Sequence, residues 1–416
     1  MSTETTISGF GDAQIQLDGR ATASASWAGI LLGLWLTGVF ASSLVARSES
    51  EGFGVMVILA AGVLWPLFYF MVSSNRFFPS MPSTSVFFAL IIFAVFGGAS
   101  IYVSPIIWTS FAYYGMTLCA LLIALQFNSA LTAEQYRRGL SLYAFCTCIL
   151  LSVYAIHHYQ PGERLGNGSN GGVFNPNAIA LVSLSVIAAG FAIRRWLVRL
   201  PVLAAGVAVL VLTGSRSAAI GSLLAISIIL LKRTKQGGLG VKVVFIVTMV
   251  SCISIAIVYW VTIEAAGASF FAVNDSYRGI GTGATGRLDA WIATWGLFTS
   301  HPVIGVGFRA HDAMLHALVK TESSAHNGYL SLLAEVGLFG FISFFYIMAA
   351  GMLHLWRATL EREKAYIATV FLGLCVGYCF VALFERYLIN IGNPTSLLFM
   401  LAIFYRGRKN EADAVV

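Results

Sequence analysis

The chain has 416 residues, 58% of them hydrophobic and only 10% charged. A soluble globular protein carries about a quarter charged residues, so an ordinary soluble fold, a disordered chain and a collagen-like chain are all excluded. The formal net charge of +7 does not point to nucleic acid, because the basic residues are dispersed between apolar segments rather than gathered into a patch.

Residues 1–26 are polar, rich in Ser, Thr and Ala, and lack the basic start of a secretory signal. They are expected to form a short disordered tail. A membrane-spanning helix needs about 20 mostly apolar residues to cross a hydrocarbon layer of about 30 Å. Stretches of that kind run near 27–46, 52–73, 84–102, 106–126, 140–159, 174–193, 200–214, 217–231, 241–262, 328–352, 366–384 and 394–405. The seventh, eighth and twelfth are short, and the seventh and eighth also read as one hairpin interrupted at Gly214-Ser215-Arg216. The runs are too long and too little alternating for barrel strands. The fold class is therefore an all-α polytopic membrane protein of about 12 transmembrane helices. Its parts are a tail (1–26), nine spans (27–262), a long external loop (263–327), three spans (328–405) and a second tail (406–416).

Most of the 25 Lys and Arg fall on one side of this layout if the N-terminus is cytoplasmic, as the positive-inside rule requires. The even number of spans then puts the C-terminus in the cytoplasm too. All six cysteines lie within apolar segments, where an oxidising compartment has no loop to staple. The external loop is too long for a simple connection. Two stretches in it have helical spacing: RLDAWIATWGLF (287–298), with Leu288, Trp291, Ile292 and Trp295, and AHDAMLHALVK (310–320). Tryptophan favours the headgroup level, so these are read as interfacial helices roofing a cavity between membrane and external space.

The external side has few basic residues, yet nearly all are arginine. Arg164, Arg216, Arg278, Arg287 and Arg386 stand where the positive-inside rule alone would make arginine scarce. A planar guanidinium with five donors near a membrane surface suits a phosphate or diphosphate. The glycine-rich RGIGTGATGR (278–287) fits neither nucleotide-loop pattern and points to no nucleotide. His301, His311, His316 and His326 lack the regular spacing of metal ligands, so no metal is expected. His326 stands where the loop re-enters the membrane. An imidazole titrates near pH 6.5 and can accept a proton at working pH; a capping or interfacial histidine is the other reading. Glu335, nine residues on, lies half a turn away from His326 on a straight helix, and is expected to orient an arginine on a neighbouring span instead. Glu385 and Arg386 form a second charged pair, and Asp289 is a candidate partner of Arg287. A single histidine base with an arginine cradle is a sufficient kit for transfer from a lipid diphosphate, whose leaving group needs little acid assistance.

Five motifs carry a resemblance: Arg164 with FNPNAIA (174–180), LTGSRSA (212–218), GATGRLDAW (283–291), HPVIGVG (301–307) and SSAHNGYLSLLAEVGLFG (323–340). In this order they resemble the O-antigen ligase and polymerase superfamily over about residues 160–410. The resemblance implies a GT-C-type membrane glycosyltransferase in the bacterial inner membrane, with its site facing the periplasm. It implies an undecaprenyl diphosphate-linked glycan as donor and lipid A-core as acceptor, with inversion at the anomeric carbon and no metal or nucleotide cofactor. Arg216, with Arg287 or Arg278, matches the diphosphate ligands, and His326 matches the base. Asn327 and Tyr329 are placed on the acceptor side, and Glu335 behind an arginine. Two rival readings remain: a polymerase whose acceptor is a second lipid-linked repeat and, remotely, a transporter of an anionic lipid or solute.

Overall fold

The computed structural model describes residues 27–45, 53–73, 79, 81, 83–161, 163–166, 175–236, 287–318, 324–361, 365–386 and 388–407. Thirteen α-helices lie among the described residues. They are α1 (Trp27–Val45), α2 (Phe53–Ser73), α3 (Thr84–Tyr102), α4 (Ile107–Ala130), α5 (Ala133–His158), α6 (Pro176–Gly190), α7 (Trp196–Thr213), α8 (Arg216–Gln236), α9 (Arg287–Ser300), α10 (His311–Leu318), α11 (Gly328–Ala358), α12 (Ala365–Val381) and α13 (Pro394–Phe404). The expected ninth span (241–262) and Arg278 lie outside the described residues.

Six helices, α1, α3, α4, α5, α7 and α11, are long and apolar enough to cross a membrane. The protein is a multi-pass, all-α membrane protein in the described region. Large apolar side chains face outward along these helices, among them Phe88, Val95, Phe111, Val211 and Ile342. That arrangement suits lipid and would be an aggregation surface in water.

Of the three spans expected to be short, α13 is, with 11 residues, whereas α7 and α8 have 18 and 21; α6 and α12 are short instead, with 15 and 17. α8 outruns its apolar stretch, continuing through Lys232 and Arg233 to Gln236; Lys232 lies over the Trp356 ring and Arg233 over Tyr366. The short helices are the central ones. Almost every residue of α6, α12 and α13 is buried, and α5, α7, α8 and α11 pack around them.

Small residues set the closest approach in this core. Gly221 and Ala225 of α8 face Gly373 and Gly377 of α12, and a Cβ added to Gly373 would come within 2.7 Å of the Ala225 carbonyl oxygen. This is the small-xxx-small seam through which membrane helices gain packing without a hydrophobic driving force. The seam runs antiparallel, so it brings the start of α8 to the end of α12.

α11 is two helical pieces. Gly337 has φ 70° and ψ −175°, and the HPVIGVG segment docks into the break. The carbonyls of Ala334 and Glu335 accept from Val306 and Gly307 at 2.9 and 3.1 Å, and Leu338 N–H donates to the Pro302 carbonyl at 2.8 Å. The loop thus replaces the intrahelical bonds that the break removes, which satisfies otherwise orphaned backbone groups. Gly305 and Gly337 have φ of +72° and +70°, and a Cβ on either would run into the opposing backbone. The two glycines are therefore requirements of the docking.

Candidate functional site

Hydrogen bonds assign the helix termini to two ends of the bundle. At one end the Asn393 side chain, which caps α13, reaches the Ala178 carbonyl at the start of α6. Gly328 N–H at the start of α11 donates to the Ala382 carbonyl just beyond α12, at 2.8 Å. Trp291 Nε1, in α9, donates to the Ala325 carbonyl at 2.7 Å. The N-termini of α6, α8, α9, α11 and α13 therefore converge on one end. Asparagine side chains cap some N–H groups of α6, α11 and α13, yet each N-terminus still carries about half a positive charge, so this end attracts anions.

Arginines add to that field. Arg216 is the first residue of α8, half-buried, and is separated only by Ser215 from the left-handed Gly214 that caps α7. Arg164 lies across the same turn: its Nε donates to the Thr213 carbonyl at 2.7 Å and its Nη2 to Asn177 Oδ1 at 3.3 Å. Leu165 N–H donates to the Leu212 carbonyl at 2.9 Å, which fixes the strap that carries Arg164. Arg287 is the first residue of α9. Asp289, its expected partner, is exposed.

His326 sits at the start of α11 with φ 46°, one of two non-glycine residues with positive φ among the described residues. Histidine tolerates this conformation better than most residues, but it still marks a constraint. The constraint is visible on both sides. Trp291 holds the preceding carbonyl, and Asn327 caps α11, its Oδ1 accepting from Tyr329 and Leu330 N–H at 3.1 Å each. Tyr329 Oη donates to the Cys379 carbonyl at 2.9 Å, which ties this turn to α12. Asn327 and Tyr329 thus fix the position of His326. A recess lined by Phe308, Gly328, Ser331, Leu332, Glu335, Leu388 and Ile389 opens beside this turn.

Glu335 is not on an arginine. Its carboxylate lies 2.5 Å from Nδ1 of His311, a fully buried histidine. The arginine comes one link later: His311 contacts Asp312, and Asp312 Oδ2 accepts from Arg386 Nη2 at 3.0 Å. Through-space pairing across α10, α11 and the α12–α13 connection has no signature in spacing. Glu385, beside Arg386, is buried. Arg309 was likewise not singled out by sequence, although it has φ 62° and packs its guanidinium 4.7 Å from the Tyr113 ring centre. His311 and His316 do face apart, buried and exposed respectively. Among the described residues no three His, Cys, Asp or Glu side chains are grouped to hold a metal ion.

The two loop helices form, and α9 turns its small and polar face inward. Ala290, Thr294 and Leu297 are buried while Leu288, Ile292 and Trp295 are exposed. The exposed apolar stripe on a helix at the end of the bundle suits the lipid headgroup level.

The O-antigen ligase family model matches residues 200–345, about a third of the chain. That stretch holds Arg216, Arg287, the HPVIGVG loop and His326. The match supports membership in the superfamily of O-antigen ligases and related polymerases, and with it an enzymatic function. No curated protein matches the chain.

Proposed function

We propose, on the premise that the chain belongs to the O-antigen ligase and polymerase superfamily, that it transfers a glycan from undecaprenyl diphosphate to a sugar hydroxyl of lipid A-core. The observation that carries the reading is the convergence of helix N-termini, Arg216 and His326 on one end of the bundle. A diphosphate fits the field of that end, and a proton acceptor stands beside it.

In the proposed step His326 takes the proton of the acceptor hydroxyl. The acceptor oxygen attacks the anomeric carbon from the face opposite the diphosphate. The bond from that carbon to the phosphate oxygen breaks, undecaprenyl diphosphate leaves and the configuration inverts. Arg216 and Arg287, with Arg278, stabilise the charge growing on the leaving group, and Arg164 braces the turn that carries Arg216. The step uses neither metal nor nucleotide. The site faces the periplasm, both termini face the cytoplasm, and the GT-C architecture accompanies this reading.

The test uses purified protein in nanodiscs with undecaprenyl diphosphate-linked glycan, with and without lipid A-core, and resolves products by gel and mass spectrometry. Glycan on lipid A-core is the expected result. Longer chains on the carrier with lipid A-core untouched would replace the ligase by a polymerase, and no glycan transfer to either acceptor would overturn the reading.

A further inference from the structure

His311 takes no part in the proposed step, yet it is an ionisable group with no exposed side-chain surface. Its Nδ1 lies 2.5 Å from Glu335 Oε1. Its Nε2 lies 2.9 Å from Asp312 Oδ1, an ion-pair approach off the N–H axis. Asp312 passes the contact to Arg386. Glu335 is 3% exposed and stands two residues before the break in α11. Two carboxylates bracket the imidazole, and the buried one, Glu335, meets its compensating charge on His311 when the imidazole is protonated. An uncompensated buried charge costs far more than a paired one.

We infer that His311 is a positioning residue: as an imidazolium between Glu335 and Asp312 it pins α10 and the Arg386 segment to the break in α11, and so holds the turn that carries His326. The inference rests on the proposed transfer only for its activity readout. The groups facing His311 include Glu335 from α11 and Asp312 from α10, with Arg386 behind Asp312; Arg309 lies two residues before it and the buried Glu385 beside Arg386, while Asp289 of α9 and His316 of α10 are exposed. Burial pulls the imidazole down, but Glu335 and Asp312 outweigh it and hold the pKa up at about 9. A group raised on folding stabilises in full below its unfolded pKa of about 6.5. That contribution declines as pH rises and is gone above about 9.

Thermal unfolding of the full chain in nanodiscs, followed from about pH 6 to about pH 10, tests this without substrate. The wild type should lose several degrees in Tm across that window. His311→Gln should start several degrees lower and lose that slope, and His311→Gln/Glu335→Gln should recover part of the loss by removing the stranded carboxylate. His311→Lys keeps a cation with a higher pKa, so it should retain glycan transfer above about pH 9, where the wild type fades. A slope that survives in His311→Gln, or a lysine variant that fades with the wild type, would overturn the inference. A wild type with the expected slope but no glycan transfer would support the clamp and defeat the transferase reading.

Discussion

Arg216 and Arg233 stand at opposite ends of the same helix, α8, and meet opposite fields. Arg233 lies near the C-terminus of α8, where the helix dipole favours a cation. It donates to the Phe191 carbonyl at the end of α6, at 2.9 Å, and stacks over Tyr366. Arg216 begins α8, where the dipole opposes a cation and four other helix N-termini gather nearby. At the Arg233 end the other arginines are paired internally: Glu134 binds Arg137, Arg138 and Arg194. The lesson is that equal residues have unequal tasks. An arginine that satisfies a C-terminal carbonyl completes the fold, whereas one added to a convergence of N-termini raises a positive field that an anion relieves.

The sharpest way to break this contrast is His326→Ala. Removing a general base costs roughly 10²–10⁴-fold in rate, while the cap by Asn327 and the Trp291 contact to Ala325 do not use the imidazole. Transfer should therefore collapse with donor binding and Tm nearly unchanged. A matching collapse in Tm would make His326 a structural residue.

Gly337→Ala probes the scaffold of the same end. The new Cβ would press on Val303 at a left-handed φ of +70°, adding roughly 2–5 kcal/mol of strain and overpacking. The HPVIGVG loop should undock, measurable as a lower Tm and faster hydrogen exchange at Val306 and Gly307. A wild-type Tm would mean the break in α11 does not depend on glycine.

Arg216→Lys keeps the charge and loses the planar fork. Donor affinity should fall by about 1–2 kcal/mol, read as a higher KM for the lipid-linked glycan. Unchanged kinetics would remove bidentate contact from the proposal.

Much of this was legible in sequence where the signal is local. The turn at Gly214-Ser215-Arg216 and the places of α9 and α10 follow from residue type and spacing, whereas the caps Asn175, Asn327 and Asn393 emerge only in the structure. What was not legible depends on packing across the chain. Which residues of α9 pack inward was not legible: Ala290, Thr294 and Leu297 are buried, while the apolar stripe of Leu288, Ile292 and Trp295 faces out. Glu335 met a histidine 24 residues away, since the HPVIGVG loop folds α10 back against α11. Helix length was legible for α13, expected over 394–405 and found over Pro394–Phe404, but not for α7 and α8, which outrun their apolar stretches.

The smallest effect is expected at the opposite end, from Glu134→Gln. Arg137 Nε donates to Glu134 Oε2 at 2.7 Å, and Arg194 reaches the same oxygen at 3.3 Å. Arg138 and Arg194 are 54% and 71% exposed, so solvent screens both contacts. Exposed pairs contribute about 0–1 kcal/mol each, and the amide still accepts one arginine donor. Tm should fall by only a few degrees, more at low salt than at high. Glycan transfer at the far end should stay at the wild-type rate, because Glu134 is joined to basic side chains of α5 and the α6–α7 connection and to none of the groups around His326. A strong loss of transfer at unchanged Tm would show that the two ends are coupled through the core of α6 and α12, and the division of labour between Arg216 and Arg233 would have to be abandoned.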